Sequence, residues 1–387
     1  MKKIFFTLLL ANCFLLTVNA TIRRVGFTAS TSPVFGIDFV DLQTAHNAAV
    51  AGDTIQIYPN TAPTSYNAIL NKRLVILGPG YFYNSYTTPS PTIDLNNAGL
   101  QNLAGGIGSL SITIGVGSSG SVFAGHYNLS VNTSNVPDSL NNISILRSRT
   151  VNVNWDNSGV CNNWLISQCA GVYTAQTGYG GSFTGNRTIT NFRVENCLES
   201  ININLNKSPI GISSGQILNC TALGGSGGIY LNLNNQSVVV QNCISENLNT
   251  ASPYNISNVA NTIFINNITS SPSSNNPVFT NPGSIGNVFG VSFANNAFFL
   301  GYPNNTSGST TLNSPDARYQ LSATSPAKNA GIIPGTATST DCGAYGGTNP
   351  YKPSGIPAVP AFYRLNAASS SATTGPYTLT FSVRSNN

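Results

Sequence analysis

Arg193 and Glu195 alternate with Phe192 and Val194 on one short stretch, with Glu199 just beyond and Arg147, Arg149 and Asp156 upstream. In a strand the apolar pair turns inward, so Arg193 and Glu195 project outward. A guanidinium, a carboxyl and a second cation gathered on one surface could serve as base, acid and charge partner in proton transfer. The same residues on a solvated face are an ordinary ion pair, contributing under about 1 kcal/mol. Arg193 and Glu195 are thus the catalytic candidates if the chain is an enzyme, and a surface pair if it is not.

Other chemistry-bearing residues are sparse. His46 falls in a helical stretch, where packing or capping accounts for it. His126, in Phe123-Ala-Gly-His-Tyr127, has no carboxylate near it in sequence. No Cys/His spacing suits zinc, so neither a metal nor a cofactor is expected. Tyr173, Tyr179 and Phe183 lie in a Gly-rich insertion, residues 171–185. Exposed rings stack on sugars, and loops on rigid scaffolds carry function, so these three are the expected ligand contacts.

What positions them is a repeat. Asn196-Cys197, Asn219-Cys220 and Asn242-Cys243 recur at a spacing of 23 residues, each after a short apolar stretch. Leu165-Ile-Ser-Gln-Cys169 reads as a degenerate copy upstream, and Asn267-Ile268 as a continuation. A βαβ unit needs about 30 residues, so 23 suits one coil of a β-solenoid, with short strands stacked about 4.8 Å apart. The turn Asn is expected to bond the same amide one coil up. The three cysteines then share one place in successive coils, with parallel Cβ directions that disfavour bridging. A stack of buried free thiols is expected, with Cys161–Cys169 the more plausible disulfide. By the same count Gln216 and Val239 stand above Arg193, and Leu218 and Gln241 above Glu195, which is not a charged groove.

Composition agrees. Only 7% of residues are charged, against about a quarter in an ordinary domain. That excludes charged helical bundles and coiled coils, and 41% hydrophobic residues exclude a disordered chain. A dispersed net charge of +5 does not suggest nucleic acid. Phe39, Leu42, Ala45/His46 and Ala49 share one helical face, and a short amphipathic helix can close the open edge of a solenoid. Residues 1–20 read as a signal peptide: a basic start, an apolar run too short for a spanning segment, then Val18-Asn19-Ala20. Residues 21–350 form the solenoid, and 351–387, after a cluster of prolines, a C-terminal β-hairpin or cap.

Ala51-Gly-Asp-Thr-Ile-Gln-Ile-Tyr-Pro59 with Arg73-Leu-Val-Ile-Leu-Gly78 resembles the opening of secreted bacterial right-handed parallel β-helix proteins, the pectin-lyase-like superfamily. Ser325-Pro-Ala-Lys-Asn-Ala-Gly331 and Asp341-Cys-Gly-Ala-Tyr-Gly346 are similar to their closing segment, with Lys328 and Cys342 where apolar residues would be expected. The resemblance implies an all-β, right-handed parallel β-helix, and polysaccharide lyases or glycoside hydrolases as the enzymatic options. Their equipment is missing from the sequence: there is no Asp-Asp, no Asp-x-Asp, no Gly-His-Gly and no Arg-Ile-Lys. The chain is therefore read as an exported extracellular or cell-surface protein that binds glycan or serves as a structural or adhesive element, without catalytic activity. The alternative is a lyase or hydrolase centred on Arg193 and Glu195.

Overall fold

A computed structural model describes residues 20–26, 38–58, 64–78, 80, 107–133, 139–155, 159–175, 187–204, 214–223, 228–232, 237–246, 254–257, 261–270, 281–293, 297–301, 315–352, 361–367 and 379–384. The signal-peptide reading therefore lies outside the described residues apart from Ala20, as do Asp156, Tyr179 and Phe183.

Two long sheets carry the fold, and every strand pair in them is parallel. The first stacks ten strands, from Ile22–Val25 and Thr54–Ile57 through Phe192–Glu195 to Ile263–Ile265. The second runs from Thr64–Leu70 through Arg149–Asn154, Ala170–Ala175 and Leu198–Asn204 to Ile268–Thr269. A third, narrow sheet holds Leu140–Asn141, Gly159–Asn162 and Arg187–Thr190. The chain passes from one sheet to the next within each coil. Period-2 alternation decides what each strand buries. Ile76, Phe123, Ile145, Ile166, Val194, Ile217, Val240 and Phe264 form one unbroken inward ladder in the first sheet, all at most 2% exposed. Each such side chain stabilises the stack by about 1.5–3 kcal/mol.

The capping helix spans Leu42–Ala48 and buries Leu42, Ala45 and His46, as the periodicity predicts. Asp41 caps its start, accepting from the Thr44 amide at 2.7 Å. His46 packs, its Nε2 taking the Asn71 amide at 3.3 Å. The first sheet begins at Ile22–Val25, one strand ahead of the segment 51–59 that resembles a β-helix opening. Buried Asp53 ties that strand down, accepting from Thr21 N, Val50 N and Arg23 Nε at 2.9–3.0 Å. At the other end, Ala361–Ala367 and Leu379–Arg384 pair antiparallel as the expected hairpin.

Between the first and second sheets each coil turns on a single residue in the left-handed region: Arg147, Gln168, Asn196, Asn219, Asn242 and Asn266, at φ 44–56°. Asn tolerates that conformation best among side-chain-bearing residues. The continuation of the repeat is shifted from the expected place. Ile268 pairs with Ile244, so Asn266 takes the turn and Asn267 takes the cysteine position.

The amide column does something the sequence did not predict. Among the described residues one Asn–Asn contact joins neighbouring coils in this column, Asn242 Nδ2 to Asn219 Oδ1 at 3.4 Å. The stronger bonds go to residues 331–351, which run back along the column as a strap. Asn242 and Gln241 donate to Ile332 O, Asn219 to Asp341 O, and Asn196 to Ala344 O and Gly346 O. Gln168 donates to Asn349 and to Pro350 O. Beneath the strap, Cys342, Ala344 and Tyr351 join Leu198, Ile244, Ile268 and Phe293 in a second apolar cluster. Gly343, at φ 84°, lies so close that a Cβ there would meet Thr221 Oγ1 at 2.5 Å and Ile244 Cδ1 at 2.7 Å. Cys342 thus has a buried seat, and burial pushes its thiol up to about 12. Lys328 pairs with Asp341 at 2.9 Å.

Candidate functional site

The expected charged cluster separates into two pairs on different sheets. Arg193 and Glu195 form one ion pair on the first sheet, with side chains 45% and 9% exposed. Their register is the expected one, Arg193 below Gln216 and Glu195 below Leu218. Glu195 does project outward, but the strap covers it. Its Oε1 accepts from Ser167 Oγ at 3.2 Å and from Asn349 Nδ2 at 3.3 Å, while Oε2 faces Arg193. Both carboxylate oxygens are engaged. Arg147 is a turn residue whose Nε donates to Gln168 Oε1 at 2.7 Å. Arg149 belongs to the second sheet, 3.8 Å from Glu199 and over the Tyr127 ring.

The outward face of the second sheet is the other candidate, and Tyr173 stands on it. Val172 and Thr174 are buried and Tyr173 is 38% exposed. Following the register outward, Asn67, Ser111, Ser130, Asn152, Tyr173, Asn202 and Tyr230 form one row along the axis. Every member is an amide, a hydroxyl or a phenol. In the neighbouring row Asn154 Nδ2 donates to Asn132 Oδ1 at 2.7 Å, the inter-coil amide bond that the turn column mostly lacks. The edge nearest the strap is different in kind. There Thr150, Gly171 and Glu199 occupy the left-handed region at φ 50°, 73° and 68°, with a register shift beside Gly171. Bulges of this sort re-aim side chains. At Gly171 the ring of Tyr173 leans back over the backbone, its Cε2 3.5 Å from where a Cβ would stand. Arg149, Glu199 and Tyr127 supply that edge, with Arg318 stacked on Tyr319 from the C-terminal segment.

Such a face is suited to binding. Among the described residues it offers donors and acceptors in register, a leaning ring, and charge only at one margin. The fold that presents it is a parallel β-helix. No family model matches the chain, and no curated protein matches it. Among solved structures, the crystal structure of pectate lyase Pel9A is similar over 85% of this chain and 97% of that chain, with a TM-score of 0.39 and 13% identity. Overlap that loose bears on neither activity nor substrate; the architecture rests on the stacked parallel registers described above.

Sequence reasoning missed Tyr230, Asn152 and Asn202 as members of the face. Gly228-Ile-Tyr-Leu-Asn232 alternates as Gly171-Val-Tyr-Thr-Ala175 does, but the two stretches lie 57 residues apart, which is no multiple of the 23-residue coil, so the count alone does not align them. Among the described residues no group of three or more His, Cys, Asp and Glu is placed to hold a metal. No helix among them is long and apolar enough to cross a membrane.

Cys197, Cys220 and Cys243 stack as buried free thiols, and Cys169 extends the column. No disulfide joins Cys161 and Cys169, so the bridge that their spacing allowed is not made. Burial pushes the thiols of Cys197 and Cys243 up, away from the reactive thiolate. A thiol reagent at pH 8 is expected to leave these positions unlabelled in the folded chain and to label them all in denaturant. Rapid native labelling at Cys220, read by peptide mass, would contradict the closed column.

Proposed function

We propose that the chain is an exported extracellular or cell-surface β-helix that binds an uncharged glycan on the outward face of its second sheet, without catalysis. The observation that carries this reading is the row Asn67–Ser111–Ser130–Asn152–Tyr173–Asn202–Tyr230: polar, in register and free of formal charge. Sugar hydroxyls pair with amides and hydroxyls, and sugar C–H faces stack on phenol rings. The Arg193–Glu195 pair supports the same reading, because both carboxylate oxygens are engaged, Oε1 by Ser167 and the strap's Asn349 and Oε2 by Arg193. The signal-peptide pattern of residues 1–20 supports export.

The test is affinity electrophoresis of the purified chain through gels carrying neutral polysaccharides or polygalacturonate. Released reducing ends and unsaturated uronate are followed in parallel, with and without calcium. Retardation by neutral polysaccharide without product is expected, and Tyr173→Ala should weaken it about tenfold, the worth of one good stacking contact. Product that disappears in Glu195→Gln would overturn the reading and place an enzymatic site at the first sheet.

A further inference from the structure

Accepting the glycan reading, on which this step rests, the spacing of the rings narrows the ligand. Tyr173 pairs in register with Asn202, and Asn202 with Tyr230. The two rings therefore stand in one row, two strands apart, with an amide between them. Two inter-strand steps along the axis are roughly 9.6 Å. Ile201 and Ile203 beneath Asn202, and Ile229 and Leu231 beside Tyr230, are fully buried, so the strands that aim the rings are fixed by core packing.

We propose that this row binds an extended, neutral β-1,4-linked hexopyranose chain lying along the solenoid axis, with every second sugar stacked on a tyrosine. In such a chain successive units are flipped, so the same ring face recurs only at every second sugar, and that disaccharide repeat has the length of two coils. Tyr173 and Tyr230 meet equivalent faces of sugars one and three, and Asn202 meets the hydroxyl edge of sugar two. An α-1,4 chain coils and a β-1,3 chain curves, so neither keeps step with a straight row of strands. A polyanionic chain has no cation in the row to meet it, since Arg149 stands at the margin and is already beside Glu199.

Calorimetric titration with hexasaccharides of one length separates these cases: cellohexaose and mannohexaose against laminarihexaose and maltohexaose. Roughly tenfold tighter binding of the β-1,4 pair is expected, with a step in affinity on going from disaccharide to trisaccharide, where the second ring is first reached. Tyr173→Ala and Tyr230→Ala should each cost about tenfold. The decisive variant moves the second ring one coil closer, Asn202→Tyr combined with Tyr230→Ala, and is expected to bind no better than Tyr230→Ala alone. All these side chains point outward, and an unchanged thermal midpoint confirms that the variants fold. Equal binding of all four linkages, or full affinity in the moved-ring variant, would overturn the β-1,4 register and leave glycan binding standing. Failure of every neutral polysaccharide to retard the chain would remove both.

Discussion

Asn196→Ala is expected to destabilise the protein by roughly 3–4 kcal/mol, the sum of a strained backbone and a lost strap anchor. Asn196 sits at φ 51°, where an alanine pays about 1–2 kcal/mol for its Cβ. Its Nδ2 donates to Ala344 O at 2.8 Å and Gly346 O at 2.7 Å. Ala344 O keeps a second donor, the Tyr351 amide, so truncation mainly strands the Gly346 carbonyl, at about 1–3 kcal/mol. Asn196→Gly separates the two contributions, because glycine accepts the turn and lacks only the amide. Urea denaturation should rank Asn196→Ala below Asn196→Gly, and both below the parent. If both variants stayed within about 0.5 kcal/mol of the parent, the strap would not be anchored as the geometry indicates.

Acid is expected to cost the fold on the order of 3 kcal/mol through one imidazole, His126. It occupies the inward position of the turn column, one coil before Ser148 and two before Cys169, and is 1% exposed. Its Nε2 donates to Ile76 O at 3.1 Å, and Nδ1 is buried without a hydrogen-bond partner. Burial lowers its pKa from 6.5 to about 4, only partly offset by the Ile76 carbonyl. The unfolded chain therefore takes up a proton near pH 6.5 that the folded chain refuses until about pH 4. Where the unfolded state binds more protons, stability falls as pH falls, so the loss accumulates between pH 6.5 and 4 and then levels off. Thermal midpoints of the parent and His126→Gln, which keeps a donor for Ile76 O, should diverge across that window, with the parent losing more. A difference independent of pH would show that the imidazole is not the group responsible.

The coil was legible because its evidence is local and periodic. Asn-Cys at a fixed spacing, after alternating apolar residues, predicts the turn, the buried thiol and even the pairing of Arg193 with Gln216 and Val239. The capping helix was legible for the same reason, since one face of Leu42, Ala45 and His46 must be covered. The strap was not. Its bonds join side chains to backbone carbonyls 90 to 182 residues away, and a carbonyl acceptor leaves no mark on residue identity. That omission explains the reading of Glu195 as solvated: alternation sets which way a side chain points, not what later lies on top of it. The slip at Asn266 and Asn267 has a simpler origin, two adjacent asparagines of which either could take the left-handed turn. Tyr173 was noticed for its Gly-rich surroundings, whereas Tyr230 acquires meaning only once the strands are set in register. The expected contacts Tyr179 and Phe183 lie outside the described residues.

A stack of coils in which each touches only its neighbours can fray from either end, one unit at a time. The strap changes that. By bonding to Gln168, Asn196, Asn219 and Asn242 in turn, it makes the loss of any one of four coils felt by the other three. The tie is also made after the coils it binds, because it comes from residues 331–351. During synthesis the earlier coils must wait, held by nearest neighbours alone, until residues 331–351 have left the ribosome. Cooperativity in this molecule is thus delivered late and from the C-terminal side, and a chain stopped short of residue 331 would be a frayable filament in place of a closed solid.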